Sequence, residues 1–147
     1  MALASSLYRW MQGRPYRWIG RPGGEPVLFE FKVLKIGRLL AVKLHWFVDG
    51  DAPGCFHTHP AWALRLVLDG HYREEMEDGR RRDWRPYRCG LVRPRDCHRV
   101  YLPTTSRGAL TLWITGPKVA PIYLRGPGWE ALGLSEGLAA TEKSADT

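Results

Sequence analysis

Two histidines separated by a single residue stand at the start of an apolar run. His57 and His59 lie in GCFHTHPAWALRLVLDG, which covers residues 54–70. If this segment is a β-strand, residues two apart point to the same face, so the two imidazoles converge on one spot. His98 follows in a second stretch of β-type residues, GLVRPRDCHRVYL. Because neutral imidazole binds first-row transition metals, we predict that these three histidines hold one divalent metal ion.

The first segment resembles the first of the two sequence motifs of the cupin superfamily. That motif has a glycine, then His-x-His, a glutamate and a second glycine, and His57, His59 and Gly70 match it. The glutamate should stand seven residues before Gly70, where this chain has Ala63. The resemblance therefore implies three histidine ligands in place of the more common two histidines and one carboxylate.

The second segment resembles the second cupin motif. Gly90 and His98 match it, whereas Arg93 and Arg95 stand where the motif usually has proline and glycine. The phrases LHWF and CHRVYL are also similar to a group of small, RmlC-like, uncharacterised bacterial and phage cupins. The resemblance covers about residues 39–116 and implies a fold and a metal, but that group has no activity to carry over.

Cupin dioxygenases that act on thiols and diketones also use three histidines. The resemblance thus implies a non-haem Fe(II) dioxygenase, with zinc, nickel, manganese or copper as alternative metals. A site without a carboxylate keeps more positive charge, which favours a small anionic substrate. Three other interpretations stay open: a decayed site that binds metal weakly or not at all, a sensor that binds a small ligand without chemistry, and a metal-free sugar-type isomerase with a histidine base.

Three further side chains are candidates for contact with the substrate. Counting by twos from His59 places Arg65 on the inward face of the strand. A buried guanidinium needs a partner, so we predict that Arg65 holds the anionic end of the ligand; the alternative is an ion pair with an internal acid. His45, on the preceding strand, and Tyr72 are the other two candidates.

The elements that position these residues are predicted to be short strands. Runs of β-type residues separated by turn residues cover 27–36, 39–48, 72–77, 82–87, 100–102 and 110–115. With almost no helical period, this pattern predicts an all-β fold, and the histidines select a single-domain cupin jelly-roll β-barrel over residues 27–134. Residues 1–26 are predicted to form an arm with a short helix and a loop, and the polar tail 135–147 to be disordered. Glu74 and Glu75 are candidates for a remote carboxylate near the site, but they are interpreted as surface charges of a hairpin.

The composition and charge of the chain limit which binding partners and which cellular compartment are predicted. The net charge of +7 is concentrated near the basic hairpin at residues 79–88, which we interpret as a solvated turn, so nucleic-acid binding is not predicted. No apolar stretch is long enough to cross a membrane, and no signal peptide is recognisable. The three cysteines are odd in number and favour thiols in a reducing compartment, which predicts a cytoplasmic protein.

The many aromatic residues outside the motifs predict a homodimer. They exceed what one small barrel should hide, and cupins commonly pair through amino-terminal strands and sheet edges. The candidates for this interface are Trp10, Trp18, Trp113 and Trp129.

Overall fold

The computed structural model describes residues 2–20, 24–134 and 136–138. Within these ranges the chain forms two helices, α1 (Ala2–Met11) and α2 (Gly128–Ala131). The strands are β1 (Arg17–Gly20), β2 (Pro26–Ile36), β3 (Leu40–Phe47), β4 (Phe56–His57), β5 (Ala61–Gly70), β6 (Tyr72–Met76), β7 (Arg81–Trp84), β8 (Cys89–Val92), β9 (His98–Tyr101), β10 (Ala109–Lys118), β11 (Tyr123–Arg125) and β12 (Gly137–Leu138). Neither described helix has the length and apolar character needed to span a bilayer.

The strands form two antiparallel sheets that face each other. The first sheet has the order β1-β2-β3-β10-β5-β8, and the second has the order β12-β11-β4-β9-β6-β7. Side chains from both sheets pack into one buried cluster, formed by Leu28, Phe47, Val67, Tyr72, Trp84, Val100 and Ala109. The predicted all-β class is confirmed. Hydrogen bonds between the described strands do not join the two sheets into a closed barrel.

The segment that carries the first two histidines is not one continuous strand. β4 ends at His57 in the second sheet, and β5 begins at Ala61 in the first sheet, so the chain changes sheets in between. Beyond the crossing, inward residues of β5 are buried and outward ones such as Trp62 are exposed. The predicted alternation therefore holds for β5 and places Ala63 and Arg65 on the inward face.

Gly70 carries the chain from one sheet to the other between β5 and β6. Its φ of +69° lies in the left-handed region, which residues with a Cβ rarely adopt. A Cβ at this position would also collide with the backbone of Gly108. Since β5 and β6 belong to facing sheets, this turn lets inward side chains of the two strands meet across the interior.

The amino-terminal region differs from the prediction in one respect. Helix α1 packs on the outer face of the first sheet, where Met11 is buried with Phe31, Leu44 and Leu110. The predicted loop at residues 13–26 contains β1, because Arg17–Gly20 pairs with the edge of β2.

Most of the tail that was predicted to be disordered, residues 135 and 139–147, lies outside the described residues.

An apolar row crosses the outer face of the first sheet beside helix α1. Five aliphatic side chains are neighbours on five adjacent strands: Leu34, Val42, Ile114, Leu64 and Leu91. Leu34, Leu64 and Leu91 are each about half exposed, at 50%, 47% and 53%. Trp113, which the sequence analysis assigned to an interface, instead points inward and is only 4% exposed, so that assignment is wrong.

We propose that this row packs against a second copy of the chain in a homodimer. Leu64→Lys should convert the dimer to a monomer in analytical ultracentrifugation at micromolar concentration, because the charge would be buried without a partner. Leu39→Lys is the matched control: Leu39 is an exposed leucine in the turn before β3, outside the row, and should keep the dimer. A parental protein that sediments as a monomer would contradict the proposal.

Candidate metal centre

The three histidines that the sequence singled out lie together between the sheets. His57 on β4 and His98 on β9 are cross-strand neighbours, and His59 reaches them from the connection to β5. One ring nitrogen from each histidine lies within 4.8 Å of the others. The Nε2 atoms of His59 and His98 are 2.8 Å apart. The pairing of β4 with β9, rather than one continuous strand, brings the imidazoles together.

The surroundings of the cluster keep its two partly buried members, His57 and His59, neutral. Burial lowers the pKa of His57, although the nearby Asp51 carboxylate opposes the shift. Burial lowers the pKa of His59 further, and the neighbouring His98, His57 and Arg65 act in the same direction. Two of the three imidazoles are therefore uncharged near neutral pH, which is the form that binds a metal.

A buried carboxylate that the sequence analysis placed on the surface contacts the cluster. Glu74 on β6 is fully buried, and its Oε1 lies 2.5 Å from Nδ1 of His98. The interpretation of Glu74 as a hairpin surface charge is wrong. Tyr72 and Glu74 lie two residues apart on β6 and both point inward, so the choice of Tyr72 as a candidate for substrate contact was the signal that could have found Glu74.

The Glu74 contact determines which nitrogen of His98 faces the other histidines. Burial alone would raise the pKa of Glu74, but the contacts with His98 and Arg65 outweigh burial and hold the pKa below its ordinary value. An ionised carboxylate only accepts, so Nδ1 of His98 donates to Glu74. Nε2 of His98 is therefore the ring nitrogen that faces His59.

Arg65 neutralises Glu74 from the facing sheet. Both terminal guanidinium nitrogens donate to the Glu74 carboxylate, with Nη2 2.6 Å from Oε2. The guanidinium carbon lies 3.7 Å from the centre of the Trp84 ring, whose Nε1 donates to Oε2 of Glu74 at 2.8 Å. Arg65 thus has the internal acid partner that the sequence analysis gave as the alternative. A role for Arg65 in holding a ligand stays a prediction.

Trp113 links the histidine cluster to a second polar group on the first sheet. Its ring lies 5.5 Å from the ring of His59 and 4.9 Å from the ring of His45. The indole Nε1 donates to Thr111 Oγ1 at 2.9 Å, which fixes the ring. The sequence analysis missed this role because the apolar run around Trp113 does not reveal which face is buried.

The two other candidates for substrate contact, His45 and Tyr72, also have side chains that point into the interior. Nε2 of His45 is 3.2 Å from Oε2 of Glu30, which also accepts from Lys43 at 3.0 Å. Burial would raise the pKa of Glu30, but His45 and Lys43 lower it to about 2. Tyr72 is fully buried, and burial raises the pKa of its phenol. The structure brings neither His45 nor Tyr72 into contact with the three histidines in the part of the chain it describes.

Comparison with known proteins identifies the fold. No protein-family model and no curated protein matches the sequence, but solved structures do. An RmlC-like cupin from Shewanella frigidimarina NCIMB 400 has a TM-score of 0.54 and 20% identity, covering 73% of this chain and 86% of that protein. The chain has the cupin fold.

A DMSP lyase and an Fe(II) protein are among the other structural neighbours of this chain. The DMSP lyase DddQ from Ruegeria pomeroyi DSS-3 has a TM-score of 0.66 at 16% identity, covering 82% of this chain and 66% of DddQ. The Fe(II) form of HppE has a TM-score of 0.59 at 13% identity, covering 71% of this chain and 57% of HppE. This chain therefore spans about two thirds of DddQ and little more than half of HppE.

Two positions of the cupin motifs have a structural reason in this chain. Ala63, where the motif glutamate is missing, is buried with Val92 and Trp113 and offers no carboxylate. Gly90 lies beside Arg65 on the neighbouring strand, and a Cβ there would collide with the Trp84 ring. The glycine thus leaves room for the indole that supports Glu74 and Arg65.

The Glu74 contacts predict a large loss of stability in one variant. Glu74→Gln should lower the free energy of unfolding by about 3–5 kcal/mol, because the buried Arg65 then lacks a counter-charge. Glu75→Gln is the matched control, since Glu75 lies on the outward face of the same strand and pairs with Arg99; it should cost at most about 1 kcal/mol. Urea denaturation measures both, and equal losses would contradict the assigned role of Glu74.

The depressed pKa of Glu30 predicts how stability depends on pH. A carboxyl whose pKa falls on folding adds stability above its unfolded value, and this contribution is lost as the pH falls from about 4.5 toward about 2. The difference in free energy of unfolding between the parental protein and Glu30→Gln should therefore be largest above about pH 5 and shrink in more acidic buffer. Urea denaturation at a series of pH values tests this, and a difference independent of pH would show the prediction to be wrong.

Proposed function

We propose that this protein is a metal-dependent cupin enzyme that acts on a small anionic substrate, with Fe(II) dioxygenase-type chemistry as the activity that the site supports best. The observation that carries the proposal is the cluster of three imidazoles whose nitrogens lie within 4.8 Å of one another. One of them, His98, is oriented by the buried carboxylate of Glu74. A carboxylate behind a histidine ligand is the usual way in which proteins orient and strengthen such a ligand.

The donor set fits a divalent transition metal. Nitrogens that bind one ion at about 2.1 Å and at right angles to each other lie about 3 Å apart. The Nε2 atoms of His59 and His98 already have this separation, at 2.8 Å. When bound, the ion would act as a Lewis acid and, if it is iron, would add one-electron chemistry with dioxygen. Zinc, nickel, manganese and copper are alternatives, because imidazole does not select strongly among them.

The protein side chains hold the ligands in place and limit the water around them. The Nδ1–H group of His98 donates a hydrogen bond to Glu74. Hydrogen bonds from Arg65 and Trp84 fix the position of Glu74 in turn. The Trp113 ring packs against His59 on the side of the first sheet. His57, with its side chain 24% exposed, leaves the cluster open to solvent on one side. A small substrate would enter from that side.

The charges around the cluster favour an anion. Three imidazole ligands carry no negative charge and would leave the charge of a divalent ion uncompensated, and the buried carboxylate next to them is already paired with Arg65. A negatively charged ligand would supply the missing compensation. The fold neighbours allow more than one reaction, since the Fe(II) protein HppE and the DMSP lyase DddQ both have this fold. If the bound metal is iron, it would suit oxygenase chemistry, while a lyase-type reaction is the alternative on the same ligands.

Metal content tests the site. Protein purified without chelator should contain about one equivalent of a transition metal, and replacing His57 and His59 together with alanine should reduce this to near zero. His71→Ala is the matched control, because His71 lies outside the cluster and should leave the metal content unchanged. A double variant that keeps the parental metal content would overturn the assignment of the ligands.

Oxygen uptake tests the reaction. Fe(II)-loaded protein should consume dioxygen with at least one member of a panel of small carboxylates and thiol carboxylates, and the double histidine variant should not. Electrode measurements with each compound, and without any, give the rates. A protein that binds iron but consumes no oxygen with the whole panel would contradict the dioxygenase assignment and favour a lyase or a ligand-binding cupin.

A further inference from the structure

The outer face of the second sheet carries a group of arginines. Strands β7, β6 and β9 lie side by side, and residues opposite each other across a strand pair share one face. On β6 three inward residues are buried and the two between them are not, so these two point away from the histidines. Six side chains on the three strands form this outer face: Arg73, Glu75, Arg81, Asp83, Arg99 and Tyr101.

Two arginines share the carboxylate of Asp83. It accepts from Nε of Arg73 at 2.7 Å and from Nη2 of Arg85, just after β7, at 3.2 Å. A guanidinium has five N–H donors, so both arginines keep donors for another acceptor. The side chain of Arg85 is 70% exposed, against 34% for Asp83. An approaching anion therefore meets the cation before the carboxylate.

Two further arginines share the carboxylate of Glu75. Its Oε2 accepts from Nε of Arg99 at 2.7 Å, and its Oε1 lies 3.6 Å from Nη2 of Arg81. The side chain of Arg81 is 71% exposed, against 18% for Glu75. Arg82 lines the same surface cavity as Arg81 and adds a fifth guanidinium. Five guanidiniums thus share the face with two carboxylates, and the excess of positive charge attracts anions.

Tyr101 places a flat ring among these cations. The guanidinium carbon of Arg99 lies 5.1 Å from the centre of the Tyr101 ring, and Arg73 is opposite Tyr101 on the neighbouring strand. The ring lines an open cavity of about 340 Å³ together with Arg73 and Arg81. Because pockets for small organic molecules begin at about 300 Å³, this cavity can hold one planar ring and its charged group.

The cations of this region are all arginines. Residues 71–100 contain nine arginines and no lysine, whereas the exposed cations of β2 are Lys32 and Lys35. Arginine donates two parallel hydrogen bonds to a phosphate and also stacks on flat rings, whereas lysine acts as a point charge. This use of arginine favours a ligand that has both phosphates and rings.

We propose that the outer face of the second sheet binds single-stranded nucleic acid, with phosphates on the arginines and a base stacked on Tyr101. A positively charged surface combined with an aromatic ring suits such a ligand, because every unpaired base has a flat face and every phosphate carries charge. The arginines of the hairpin at residues 79–88, interpreted from the sequence as a solvated turn, contribute to this surface. His98 and Arg99 point to opposite sides of β9, so the surface is separate from the candidate metal centre.

Binding of a labelled thymidine oligonucleotide of about 12 residues, followed by fluorescence anisotropy at several salt concentrations, tests the surface. The logarithm of the association constant should fall with the logarithm of salt concentration, with a slope of about −0.7 for each phosphate contact. Arg81→Gln combined with Arg85→Gln should weaken binding at low salt about tenfold or more and make this slope about 1.4 less steep, because two phosphate contacts are lost. Arg9→Gln combined with Arg38→Gln is the matched control. It changes the net charge equally, but at exposed positions on α1 and in the turn before β3, and should bind like the parental protein.

Variants of Tyr101 test the contact with a base. Tyr101→Leu should weaken binding of the oligonucleotide about fivefold or more, because stacking is lost, and should not change the affinity for an abasic chain with the same number of phosphates. Tyr101→Phe keeps the ring and should bind both chains like the parental protein. Urea denaturation of each variant verifies that it is folded.

Three results would overturn the proposal. The first is a parental protein that does not bind the oligonucleotide at low salt, or an Arg81 and Arg85 variant that binds it as tightly as the matched control. The second is equal affinity of the parental protein for the abasic chain and the oligonucleotide, which would show attraction of any polyanion. The third is binding to phosphatidylserine vesicles, but not to the oligonucleotide, that the Arg81 and Arg85 variant loses; this would assign the face to a lipid surface.

Discussion

The carboxylate of Glu74 is the group on which the interior of this protein depends. It is fully buried and accepts hydrogen bonds from Arg65, Trp84 and His98. A lone buried carboxylate would be prohibitively costly, and even a buried ion pair is stable only when its remaining hydrogen bonds are satisfied. Because Arg65 comes from the first sheet and the other three residues from the second, this one acceptor connects the two sheets at the histidine cluster.

This arrangement divides two tasks between two positions. In a site of two histidines and one carboxylate, the carboxylate binds the metal and also reduces its charge. Here the motif position holds Ala63, and the carboxylate lies on β6, where it orients His98 and has its charge balanced by Arg65. An ion at the histidines would keep its full charge, and that charge determines which ligands it attracts. We propose that the missing glutamate reflects a change of substrate rather than loss of the site.

The sequence predicts the parts of this structure that depend on residue type and local alternation. The histidine spacing and the turn residues predict an all-β fold with three converging imidazoles, and the period of two predicts that Arg65 points inward. The sequence does not reveal which strands pair when they are far apart in the chain. His57 lies next to His98 because β4 pairs with β9. The spacing between His57 and His59 in the sequence does not reveal this pairing. Glu74 was missed because a charged residue in a hairpin is exposed by default, and only its partners on other strands make burial favourable.

X-ray absorption spectroscopy of the metal-loaded protein tests the central claim most directly. The spectrum reports the number and type of first-sphere ligands. With His57, His59 and His98 as ligands and Glu74 behind His98, it should show three imidazoles with nitrogen at about 2.0–2.2 Å and no protein carboxylate bound to the metal. The remaining scattering should come from light atoms that exchange with added anions. A spectrum that fits two imidazoles and a protein carboxylate, or fewer than two imidazoles, would contradict the account.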